Sequence, residues 1–213
     1  MRVGGVKWDA PEGWIEKVRQ FVPYMREQLK GYHDLVTGNE IFMNRIIGVG
    51  KYSKEEAVNY SLSGANLRST GIKYDLRKQE PYSIYHRFDF DIPIREEGDA
   101  WARYHCRIEE IEESLKIIEQ AVDQFPSDGP ILAKVPKIIK APAGETFVRI
   151  EAPRGEIGCY IYSEGKKEPY RLKFRRPSFY NLQILPKLLK GENIANLIAI
   201  LGAIDIVLGE VDG

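Results

Sequence analysis

The sequence predicts an α+β fold, mainly helical, in which a helical bundle carries a small antiparallel sheet. Three observations predict it. Residues 104–125 hold a long apolar stripe at helical spacing. Residues 146–176 hold three short alternating segments separated by turn-forming residues. The stretches on either side return to helical spacing, so the order is helices, sheet, helices.

Composition narrows the function classes. The chain has 213 residues, enough for one large domain, and 31 basic residues balance 31 acidic ones. Zero net charge argues against a general nucleic-acid binder, which shows a basic surplus. The two cysteines, Cys106 and Cys159, are far apart and form no C-x-x-C pair, which excludes a disulfide framework and a zinc ribbon. A reducing compartment is expected. The opening MRVGGVKWDAPEGW lacks the apolar core of a signal peptide. The longest apolar run, Ile194 to Leu208, is broken by Asn196, Gly202 and Asp205 and is too short to span a bilayer. Any membrane attachment is therefore expected to run through partners.

The chain opens on a glycine-bearing loop to Ala10. Pro11 suits the first turn of a helix. Trp14, Val18, Phe21, Met25, Leu29 and Tyr32 then recur at helical spacing, with Pro23 expected to kink the helix and Gly38 to stop it. Residues 39–47 predict a short second helix. Ser53 and Glu56 have capping-box spacing and open a helix that ends before Gly64. Residues 64–93 are aperiodic and read as irregular, which in a domain points to a functional or packed segment.

Asp99 is placed to cap the clearest helix of the chain. Its stripe is Tyr104, Ile108, Ile111, Leu115, Ile118, Val122 and Phe125, too short for a free coiled coil and suited to a bundle core. Glu109, Glu110, Glu112 and Glu113 then read as a solvated face rather than a metal or proton site. Four prolines mark a linker over 126–145. Strands are expected at Thr146–Ala152, Glu156–Ser163 and Tyr170–Arg175, the last two joined as a hairpin. Pro177 opens the closing helices, Pro186 should break them, and Gly191 sets off the terminal segment.

Few residues announce chemistry. Phosphate-loop, dinucleotide and zinc-protease motifs do not occur. His33, His86 and His105 are scattered, and the adjacent His105 and Cys106 point to different helix faces, so no metal site is expected. Lys166, Lys167, Arg171, Lys173, Arg175 and Arg176 make a basic hairpin. A solvated face or an acidic protein partner suits it better than a phosphate or RNA platform. Asp75 and Arg77 are candidates for an internal ion pair or a catalytic pair. Asp205, an acid in an apolar run, is a candidate proton carrier or head-group ligand, with pairing to a nearby arginine as the structural alternative.

Longer motifs carry more. YDLRKQEPYSIYHRFDFDIP, GDAWARYHCRIEEIEESLKII, APRGEIGCYIYSEGKKEPYRLKFRRPSF and AILGAIDIVLGEVD, with RVGGV and TGNEIFMNRIIGVG before them, resemble the D-subunit family of respiratory complex I, the proton-pumping NADH:quinone oxidoreductase. The resemblance runs in order along nearly the whole chain and corresponds to the C-terminal part of such a protein. It implies a single domain over 1–213 with a hydrogenase-large-subunit-like bundle: 1–125 mainly helical, 126–145 linker, 146–176 sheet, and 177–213 a helical terminus lining a cavity. Nickel-iron hydrogenases hold their metal near this terminus with a C-x-x-C pair. Here the position reads Asp205-Ile-Val-Leu208, without thiolates, which excludes nickel chemistry.

The resemblance implies a quinone cavity instead. Asp205 and Val207 match positions at its inner end, and Arg154 matches a basic position near it. Asp75 and Arg77 match an architectural DLRK motif. The chain is expected to bind no metal and no cofactor of its own. Quinone is the implied substrate, with an iron–sulfur cluster in the partner small subunit and NAD bound elsewhere in the complex. The implied partners are that iron–sulfur protein, other peripheral-arm subunits and the membrane arm, with no nucleic acid, at the cytoplasmic face of the cell membrane. The His and Tyr that reach the quinone head group in the family match no position here, and Gly213 stands where the family ends in Arg. The chain alone is therefore expected to be inactive. The alternatives are a non-catalytic scaffold fragment, or the equivalent component of a ferredoxin- or deazaflavin-linked membrane oxidoreductase.

Overall fold

The computed structural model describes residues 1–126, 128–136 and 138–212. The expectation attached to Gly213 lies outside the described residues. The order is α1 (Trp14–Tyr32), a π-helical turn (His33–Thr37), α2 (Glu40–Ile46), α3 (Lys54–Asn59), α4 (Ala65–Arg68), α5 (Leu76–Gln79), a 3-10 turn (Tyr85–Arg87) and α6 (Ala100–Asp123). Strands β1 (Ala143–Ala152), β2 (Gly155–Glu164) and β3 (Arg171–Arg175) follow, then α7 (Pro177–Leu182), α8 (Leu185–Leu189), α9 (Ile194–Ile204) and α10 (Leu208–Asp212).

Helix α1 runs through Pro23 without interruption. Its buried face is Val22 and Leu29 with Met25 beside them, packed on Leu115, Ile111 and Ile118 of α6. The expected stripe is thus displaced: Trp14, Phe21 and Tyr32 are exposed. Ile15, Val18, Val22, Met25 and Leu29 repeat at three and four, so two overlapping patterns exist and packing chooses one. Asn39, Ser53, Asp99 and Asn193 each accept a backbone N–H at the start of α2, α3, α6 and α9. At Ser53 both halves of the capping box form, with Glu56 accepting from the Ser53 N–H at 2.9 Å.

The larger core joins the middle of the chain to its end. Tyr52, Ala57, Leu62 and Leu67 pack with Ile184, Leu188, Ile200 and Ile204. Residues 64–93, expected to be irregular, instead contribute two short helices and a 3-10 turn, and their first part, 64–70 with 75 and 76, is buried. Asn66, Arg68, Ser69, Thr70 and Asp75 are all buried. Helical periodicity fails here because the buried side chains are polar. Ser69 and Thr70 donate to the carbonyls of Asn66 and Leu67, which satisfies them locally.

The glutamates of α6 are a second correction. They are half-buried and paired rather than solvated. Glu110 accepts from Arg68 at 2.7 Å, Glu112 from Arg26 at 2.9 Å, and Glu113 from Lys116 at 2.6 Å, while Glu109 pairs with Arg95. Burial pushes the neighbouring Cys106 thiol up to about 12, so it is an inert core residue.

The sheet order is β1-β2-β3, antiparallel throughout, with Val148 opposite Cys159 and Cys159 opposite Phe174. The strands depart from their expected bounds by a few residues, and β1 begins inside the expected 126–145 linker. Part of that linker is pinned to the N-terminal loop: Val6 donates to the Ile131 carbonyl and Ala133 to that of Gly4. In the basic hairpin Arg171 and Lys173 are exposed as expected, but Arg175 turns inward onto the carbonyls of Glu156 and Ser61. Proline divides α7 from α8, as Pro186 requires.

Candidate functional site

Asp205 ends α9. Its φ of 59° and ψ of 63° place it in the left-handed region, where the chain turns sharply into α10. An aspartate tolerates this conformation better than most side chains do. Its carboxylate is about one-third exposed and lies between two guanidiniums: Arg154 Nη2 at 3.3 Å and Arg107 Nε at 3.5 Å. The acid is therefore partnered and half-buried, not isolated in an apolar wall as its sequence context suggests.

Arg107 comes from α6. It donates to the carbonyls of Ala203 at 2.8 Å and Ile204 at 3.1 Å, the open C-terminal end of α9. A cation there complements both the free carbonyls and the negative end of the helix dipole. Burial holds the Arg107 pKa below its ordinary value, and Asp205 opposes that shift.

Arg154 sits in the two-residue turn between β1 and β2. Gly155, at φ 128°, lets that turn approach the backbone at Gly64 closely. A Cβ on Gly64 would stand 2.7 Å from the Arg154 carbonyl, and one on Gly155 2.7 Å from the Gly64 nitrogen. Asn181 of α7 adds a donor to the Arg154 carbonyl at 3.0 Å. The Arg154 Nε–H is buried and has no partner among the described residues.

Asp205 and Arg154 line a cleft of about 490 Å³ together with Arg68, Arg77, Arg107 and Glu151. Arg68 is only 3% exposed and reaches Glu110 at 2.7 Å, Glu151 at 2.8 Å and Asp75 at 3.8 Å. Burial works against its charge, but Glu110 and Glu151 outweigh it and raise its pKa above the ordinary value. For Glu151 burial wins and raises the carboxyl pKa despite Arg68. For Asp75 burial is overcome by Arg77, which bonds it at 2.6 Å, and its pKa is lowered. Asp75 also caps α5 by accepting the Arg77 N–H at 2.9 Å. The Asp75–Arg77 pair is thus an internal ion pair at the edge of the cleft.

On the other side of Asp205 lies an apolar cleft of about 400 Å³, lined by Leu197, Ile198, Leu201, Gly202 and Ile206. Val207, 37% exposed, lies two residues beyond Asp205, just before α10. Its N–H donates to Ser178 Oγ at 3.1 Å, which holds the start of α10 against α7. The structure pairs Asp205 with Arg154, leaves Val207 outside the lining of both clefts, and puts Arg77, bonded to the buried Asp75, on the charged cleft. Sequence reasoning missed Arg68, Arg107 and Glu151. No local pattern marks them, because their partners lie far along the chain.

Among the described residues no three or more His, Cys, Asp or Glu side chains converge on a possible metal position. No described helix is long and apolar enough to cross a membrane. A family model described as "Respiratory-chain NADH dehydrogenase, 49 Kd subunit" matches residues 1–141 and 134–213. The D-subunit of NADH-quinone oxidoreductase from Bacillus mycoides (strain KBAB4) is 82% identical over all 213 residues, and those from Geobacillus thermodenitrificans (strain NG80-2) and Geobacillus kaustophilus (strain HTA426) are 80% identical. The chain spans 58% of the length of each of these relatives. A match along the whole sequence shows that the chain belongs to the family of the 49 kDa subunit of the respiratory-chain NADH dehydrogenase.

Proposed function

We propose that this chain forms part of the quinone-reducing module of a proton-translocating NADH:quinone oxidoreductase and lines the quinone cavity with Asp205, Val207 and Arg154. One observation carries the reading. Asp205 stands on the boundary between an apolar cleft and a charged one. A quinone has an apolar body and two polar carbonyl oxygens, and such a boundary suits both parts.

Reduction to the quinol takes two electrons and two protons. The iron–sulfur cluster of the partner small subunit would supply the electrons, and water the two protons. This chain contributes binding and electrostatics. The Arg154 guanidinium, one-third exposed in the cleft, offers a donor to a quinone oxygen, and the charge developing on that oxygen strengthens the bond. Asp205 orients Arg154, and the exposed Val207 two residues on adds apolar surface beside it. The chain holds no cofactor of its own, acts with the other subunits of the peripheral and membrane arms, and sits at the cytoplasmic face of the cell membrane. Its relatives' name supplies the oxidoreductase class and NADH as donor.

The test is Asp205→Asn in the assembled complex. The reading predicts a lower quinone-reductase rate and an altered response to quinone-site inhibitors, with electron flow to an artificial acceptor upstream unchanged. Wild-type rate and inhibitor response would remove Asp205 from the site.

A further inference from the structure

We propose that Arg107 is a positioning residue for this site: its side chain holds Asp205 at the end of α9, and it acts on quinone reduction only through Asp205. The inference rests on the proposed quinone-site reading. Three contacts from a single guanidinium support it. Nη1 and Nη2 take the last two carbonyls of α9, at Ala203 and Ile204, and Nε faces the Asp205 carboxylate at 3.5 Å. The same side chain therefore fixes both the backbone before Asp205 and the direction of its carboxylate.

The geometry makes this fixing necessary. Asp205 is in the left-handed region, and its own N–H bond back to Leu201 is long, at 3.3 Å. Asp205 has one other cation among the described residues, Arg154, which stands on a different element, the β1–β2 turn. The two arginines divide the work. The Arg154 guanidinium bonds Asp205 through Nη2, whereas the Arg107 nitrogens face two α9 carbonyls as well as the carboxylate. Arg107 is thus engaged chiefly with this chain's own acceptors, with the Arg103 carbonyl at 3.4 Å as a further one. These contacts suit a residue that orients another, and the double-mutant cycle below separates that role from direct contact with substrate.

Lysine cannot reproduce the arrangement. It carries the charge but lacks the planar fork that spans two carbonyls and a carboxylate. Glutamine keeps some hydrogen bonding and loses the charge.

The experiment is a double-mutant cycle in the assembled, membrane-bound complex. The single variants are Arg107→Gln, Arg107→Lys and Asp205→Asn, with both combinations. The rate with a short-chain quinone analogue is measured for each and normalised to electron flow to an artificial acceptor upstream. Asparagine is chosen at 205 because it keeps the shape and tolerates the left-handed turn. Arg107→Gln is expected to lower the normalised rate about ten-fold, the size of coupling usual for a contacting charged pair. Arg107→Lys is expected to fall less. Each double variant should match Asp205→Asn alone, because nothing is left for Arg107 to position.

Losses that multiply in the double variants would overturn the proposal, since a general structural defect adds to the loss of Asp205 instead of vanishing with it. A wild-type rate for Arg107→Gln would also overturn it. Should Arg107→Gln not assemble, the Arg107→Lys cycle answers the same question. Should Asp205→Asn itself be neutral, the quinone-site reading fails and the proposal falls with it, an outcome distinct from multiplying losses on an impaired Asp205→Asn background.

Discussion

Replacing Arg68 with methionine tests the electrostatics of the charged cleft. Arg68 is 3% exposed and holds two carboxylates at bonding distance, Glu151 at 2.8 Å and Glu110 at 2.7 Å, with Asp75 at 3.8 Å. Their exposures are 5%, 19% and 1% in the same order. Removing one partner of a buried pair costs about 3–5 kcal/mol, because the remaining charge is uncompensated. Asp75 is protected by Arg77, and Glu151 keeps only the Leu76 N–H at 3.2 Å. The cost therefore falls mainly on Glu151, and about 3 kcal/mol is expected. The assay is urea unfolding of the wild-type and variant chains, followed by tryptophan fluorescence. Adding Glu110→Gln and Glu151→Gln should recover most of the loss, since a neutral cluster leaves no orphan charge. A loss below about 1 kcal/mol, or no recovery in the triple variant, would refute the reasoning.

The same geometry sets four further outcomes. The raised Glu151 pKa means that the folded state binds its proton more tightly than the unfolded state does, so its contribution is fully present below the ordinary glutamate range and is lost as pH rises through its folded pKa. Glu151→Gln should flatten the stability profile just above that range, measured by unfolding at a series of pH values; an unchanged slope would contradict it. The lowered Asp75 pKa has the opposite sign, so Asp75→Asn should flatten the fall in stability seen as pH drops through the acid range. Ser53→Ala should cost about 1 kcal/mol in the same unfolding assay through loss of the capping box on α3. Gly155→Ala forces a Cβ against Ser63 and the Gly64 backbone at a positive φ, so it should cost about 1–3 kcal/mol or more in that assay and displace Arg154.

Much of this fold is legible in local sequence. The caps at Ser53 and Asp99 sit where short polar side chains precede apolar spacing, and Pro177 opens α7 because its ring suits a first turn. The strands declare themselves by alternation. What stays hidden is whatever depends on distant partners. Residues 64–93 look irregular because Arg68 and Asp75 are buried as ions, a state that hydrophobic spacing cannot signal. The α6 glutamates look solvated until Arg26, Arg68 and Arg95 are brought across to them. Asp205 is conspicuous as an acid in an apolar run, yet the Arg154 that pairs with it lies 51 residues earlier. The resemblance points to Asp205, Val207 and Arg154 together, and the fold pairs the first with the last at 3.3 Å. It gives no sign of Arg107, whose role is visible only from two hydrogen bonds and an ion pair converging on one turn.

The central claim is that the Asp205 corner meets the quinone. The most direct measurement is crosslinking of a photoreactive quinone analogue in the membrane-bound complex, with the labelled peptides mapped by mass spectrometry. The account predicts label on residues 197–207 or on the turn around Arg154, and its loss when an excess of unlabelled quinone competes. Competable label that falls elsewhere in the complex and spares these segments would contradict it.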